Sequence, residues 1–146
     1  MSYLVTAKTE SSGGGSPPVI IYPPGTVFTN ENTQFEFTST VAISAPRVVY
    51  AGASGPELAD KDTISQQDKI IGITITSASG AGEPVKVVTE GKIEDPSFTF
   101  SVGPIYLGVA GIITQVRPTS GLLIQLGVAI SATQLHIRIE PAIKLA

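Results

Sequence analysis

The chain has 146 residues, of which 14% are charged, against about 25% in an average soluble domain. Nine scattered cations and a net charge of −3 exclude the basic face that a phosphate backbone requires, so no nucleic-acid partner is expected. The absence of cysteine excludes disulfides and thiolate metal sites, and no run approaches the roughly 18–20 apolar residues of a membrane span.

What replaces the missing charge is Gly, Pro, Ser and Thr, a mixture that disfavours helices and favours short strands joined by many turns. The length suffices for one ordinary domain or for two very small β-units sharing a core. So few charges on a small protein also imply that part of its surface is covered, most simply by copies of itself.

In chain order, Met1–Thr6 shows no basic leader ahead of an apolar run, so no secretory signal is expected. Residues 1–25 read as an extended arm. Ser11–Ser16 has the composition of a flexible linker, and Pro17-Pro18 and Pro23-Pro24-Gly25 stiffen the second half of the arm. Between the prolines lies Val19-Ile20-Ile21-Tyr22, an apolar, β-prone patch. It reads either as a tail with a hydrophobic spot or as a docking segment that adds to a sheet edge or groove on a neighbour.

Residues 26–146 read as a β-domain. Val27-Phe28-Thr29 begins a strand, and Gln34–Thr38 alternates in and out, placing Phe35 and Phe37 together on the core side. A first repeat, about 45–91, runs from strand Arg47–Gly52 through a polar stretch to Ile70–Ile75, a Gly/Pro turn and Val85–Thr89. Within that polar stretch, Pro56–Asp68 offers the one place for a helical turn, with Glu57, Leu58, Ala59 and Asp60. After a further alternating segment, Ile93–Phe100, a second repeat, about 98–142, keeps the same order: Pro104–Gly108, a loop, Leu126–Ile130, a short turn, and Leu135–Ile139. Tyr50 and Tyr106 hold equivalent places, as do Gly72 and Gly127, whose positions inside strands predict bulges or close backbone approach. The expected fold is all-β, a small sandwich or barrel built from two similar repeats behind an extended N-terminal arm.

No residue pattern matches a reaction. His136 is the single histidine and sits on the polar side of an alternating strand, with no partner pattern for a triad or metal site. Asp60, Asp62 and Asp68 lack the register of a calcium loop. Glu94-Asp95 would need a second carboxylate across an aromatic cleft to cleave glycosides, in a chain without Trp. Gly13–Gly15 leads into no Lys-Ser/Thr and no helix. The expectation is a protein that is not an enzyme and takes no cofactor or metal.

One stretch carries a likeness. Pro96-Ser97-Phe98, Gly103–Gly108, Gly111–Gln115, Pro118–Gly121, Gly127–Thr133 and Ile137–Pro141, with Ile71–Thr74, Val85–Val87 and Gly91 as a first half, together resemble a β-rich module of tailed-bacteriophage virion structural proteins, of the fibre or capsid-decoration type. The resemblance covers residues 45–146 and leaves out the arm. It implies a virion protein assembled in a host cytoplasm, a homotrimer, with other virion proteins (capsid, neck or tail components) as partners; the arm with its Val19–Tyr22 patch, read from its own residues, would then supply the attachment. The alternative is a receptor- or carbohydrate-binding tail-tip adhesin, for which Tyr50 and Tyr106 are the paired candidates as ligand-facing aromatics.

Overall fold

The alternating and continuous apolar runs become strands, and every pairing between them is antiparallel. The computed structural model describes residues 31–145. The arm and its Val19–Tyr22 patch, like the strand expected at Val27–Thr29, lie outside the described residues. In chain order the strands are β1 Asn32–Thr38, β2 Val48–Gly52, β3 Gly55–Leu58, β4 Ile70–Thr74, β5 Pro84–Glu94, β6 Gly103–Leu107, β7 Ile113–Thr114, β8 Leu122–Leu123, β9 Gln125–Ala129, β10 Gln134–Arg138 and β11 Ile143–Lys144. One sheet runs β3-β2-β4-β5-β10-β9-β6-β7, with β1 also on β5, while β8 pairs with β11. The protein is all-β, and its main sheet curls into a half-barrel.

The curl originates in β5. Val87 and Val88 pair with Phe35 and Gln34 of β1 on one edge and with Thr74 and Ile73 of β4 on the other. Glu90 and Gly91 keep β1 on the first edge but have Arg138 and Ile137 of β10 on the second. Thus β4 and β10 succeed one another along the same edge of β5 and must diverge from it. The change falls at Thr89, where the β1 register slips by a bulge, and at Gly91, whose φ of +109° only glycine adopts readily.

That handover divides the sheet into two halves with one pairing scheme. In the first, the first part of β5 pairs with β4, β4 with β2 and β2 with β3; in the second, β10 pairs with β9, β9 with β6 and β6 with β7. The registers correspond residue by residue. Val48↔Ile73↔Val88 is matched by Pro104↔Val128↔His136, and Val49↔Gly72 by Ile105↔Gly127. A bulge then precedes Tyr50 and Tyr106 alike. Each unit also owns a strand ahead of the residue where its repeat is legible in sequence: β1 for the first, the far end of β5 for the second.

Burial shows how the halves combine. Val48, Ile73 and Val88, on the outer face of the first half, belong to the same core cluster as Ile105, Leu107, Leu126, Leu135 and Ile137 from the inside of the second. The inner face of the first half, with Val49 and Val87, is covered separately by Ile43, and Phe37, Leu58 and Ile71 pack around it. The first half is therefore a layer buried on both sides, which explains its nearly continuous apolar strands. In the second half the strict alternation of β10 leaves Leu135 and Ile137 buried and His136 and Arg138 exposed.

Three local expectations change. The helical turn expected within Pro56–Asp68 forms as a 3-10 turn at Ile64–Gln66, but Pro56–Leu58 is strand, because Gly55 at φ +125° turns β2 straight back into β3, and a second 3-10 turn forms at Val109–Gly111. Ser97–Phe100 leaves the strand, because the Asp95 carboxylate accepts the Ser97 N–H and O–H, each at 2.8 Å, and bends the chain. Phe98 then drops into the core edge-on to Phe100, with ring centroids 5.4 Å apart. Phe35 and Phe37 sit 6.3 Å apart, but only Phe37 packs into a cluster while Phe35 stays exposed.

The strand glycines carry a direct test. A Cβ on Gly127, at φ +151°, would run into the His136 carbonyl, and one on Gly72 into the carbonyl of Val88, its counterpart. Gly127→Ala is expected to lose about 1–3 kcal/mol from backbone strain alone. Gly80→Ala, whose added methyl meets nothing, should be neutral. Urea unfolding midpoints compare the two, and equal midpoints would refute the close-approach reading.

Candidate interaction surface

The outer face of the second half is laid out by register. Pro104 on β6, Val128 on β9, His136 on β10 and Lys92 on β5 stand in one row across four strands. Alternation puts Val102, just before β6, and Ile130, just after β9, in the row beside it, where Gln134 pairs with Glu94 and donates to it from Nε2 at 3.0 Å. Arg138 and Glu90 make the third row. The β6–β9 side of this face is apolar and bare: Val102 is 75% exposed, Ile130 49% and Val128 36%. The β10–β5 side is polar and of mixed charge.

A second bare apolar spot lies at the β7 end. Val109, Ile112 and Val116, all exposed, line a groove of about 370 Å³ with Pro118. Asp60 holds the loop that carries it. One carboxylate oxygen accepts the Asp62 N–H at 2.8 Å and the other the Ala110 N–H at 3.1 Å, so this aspartate is a tie between two loops. Among the described residues no group of three or more His, Asp or Glu side chains is placed to hold a metal ion.

Between the halves runs a cleft of about 440 Å³, with Pro46, Ile75 and Phe98 on its apolar side and Lys92, Glu94 and Asp95 on its polar side. Lys92 Nζ lies 3.8 Å from Glu94 Oε1. Asp95 titrates below the usual carboxylate range because the Ser97 backbone N–H, and then its hydroxyl, bond the charged form.

The expected ligand-facing aromatics do not form a pair. Tyr106 is only 7% exposed and belongs to the packed interior. Tyr50 is half-buried against the main core and donates its hydroxyl to Glu57 Oε1 at 3.3 Å. Their equivalence is a shared place after a bulge. His136 is exposed on the polar side of β10, as its alternation predicts. The bare patch of Val102, Val128 and Ile130 is what sequence reasoning missed. Its signal was present: aligned with Ile73 of the first repeat, Val128 stays apolar at a position that β9 turns outward.

Comparison with protein-family models, with curated proteins and with solved structures gives no match.

The Asp95 turn predicts a pH effect. Its folded-state pKa is lowered, so the stability it contributes is present above the unfolded-state value and is lost as pH falls through the folded one. Ser97→Ala removes the hydroxyl and keeps the N–H, so the Asp95 pKa, read by NMR titration, should rise part of the way to the ordinary carboxylate value. An unchanged titration would show that the turn does not hold the carboxylate.

Proposed function

We propose that this chain is a non-enzymatic structural protein of a tailed-phage virion, a fibre or decoration protein that works as a homo-oligomer, expected as a trimer, tied to the particle by residues 1–25. The observation that carries the reading is the bare apolar surface of the second half, Val102, Val128 and Ile130 on one face and Val109, Ile112 and Val116 at the β7 end, on a chain with few charges to keep such surface in water. The likeness of residues 45–146 to virion modules supplies the class. The arm supplies the attachment: several arms on one oligomer bind together with an effective concentration that no single arm reaches.

The adhesin reading keeps less support, since one of its two aromatics, Tyr106, is buried.

Deletion of residues 1–25 tests the proposal. The truncated chain should keep its unfolding midpoint and its mass as an oligomer, yet fail to join particles when they assemble in its presence, as read by the protein content of purified particles. Incorporation equal to that of the full chain would refute the role of the arm. A full chain that never joins particles would refute the virion reading.

A further inference from the structure

The two halves use equivalent faces differently, and the difference identifies a partner. In the first half the outward row Val48, Ile73 and Val88 is buried, and Ile75, just past the end of β4, packs against the same core. What covers that row is a β-layer of this same chain. The register assigns to those positions Pro104, Val128, His136 and Ile130 in the second half. Three of the four remain apolar, and all three, Pro104, Val128 and Ile130, are exposed.

We infer that the outer face of β6 and β9, centred on Val102, Val128 and Ile130, packs against a second copy of this chain. The internal precedent chooses the occupant, because a face of this shape and pairing is already closed by this chain's own β-structure. Charge agrees with it. The polar side of the face carries Glu90 and Glu94 with Lys92 and Arg138, both signs in neighbouring positions, so a second copy meets opposite charges at its rim instead of a single-sign field. His136 and Arg138, standing where the first half has Val88 and its neighbours, keep that side wet and confine the dry contact to β6 and β9. Strand spacing of about 4.8 Å and rise of about 3.3 Å give four five-residue strands a face of roughly 19 by 16 Å. That is small for a stable interface, so the contact forms and breaks with concentration.

The inference rests on the self-association in the proposed function and names its surface. Mass in solution, measured by sedimentation over a hundredfold range of full-chain concentration, tests both. The unmodified chain should shift from single subunits to oligomers as concentration rises. Val102→Lys, at a position too exposed to disturb the fold, and Val128→Lys should each move that shift at least tenfold higher in concentration, with unfolding midpoints at low concentration unchanged. If the unmodified chain associates and both variants associate equally well, this face is not the contact, while self-association stands. If the unmodified chain is a single subunit throughout, the inference and the oligomer in the proposed function both fail.

Discussion

The structure depends on one burial: the outer face of the first half, Val48, Ile73 and Val88, closing over Ile105, Leu126, Leu135 and Ile137 of the second. Neither half has a complete core without it. Fully burying one such side chain stabilises by about 1.5–3 kcal/mol, so this layer contact outweighs any single turn or ion pair on the surface. It also sets strand chemistry. The first half, covered on both sides, needs apolar residues in succession, as in Ile70-Ile71 and Val87-Val88, whereas β10, covered on one side, alternates.

The handover along β5 makes the arrangement reachable. A strand of eleven residues serves as the last strand of one unit and the first of the next, and the bulge at Thr89 with the positive φ of Gly91 lets β4 and β10 leave its shared edge in different directions. The repeat is then a tandem in which each unit offers an inner face and an outer face. The first unit's outer face is used within the chain, and the second unit's is left over. Its surviving apolar residues are what the proposed function by association rests on.

Much of this was legible in sequence because period-two alternation and apolar-Gly-apolar strands are local signals. The β class, the repeat with its paired Tyr and Gly positions, and the surface place of His136 all derive from them. Other features needed the third dimension. Pro56–Asp68 reads as open to a helical turn throughout until Gly55 is seen to reverse the chain into a strand at Pro56–Leu58, and Ser97–Phe100 alternates like a strand although the Asp95 side chain breaks it. Tyr106, equivalent to Tyr50 by repeat position, reads as available until its burial is seen. The bare patch escaped notice for the opposite reason: a Val among apolar neighbours looks like core until the register shows which layer lacks a cover.

The most direct test exchanges residues between equivalent places. Val88 and His136 occupy one position in the two units, the first fully buried and the second exposed. The account predicts that Val88→His, which buries an imidazole in the shared core, costs on the order of 2–4 kcal/mol of unfolding free energy. His136→Val, at low protein concentration, should stay within about 0.5 kcal/mol. Losses of equal size in the two variants would contradict it, because they would mean that both outer faces are buried alike or exposed alike.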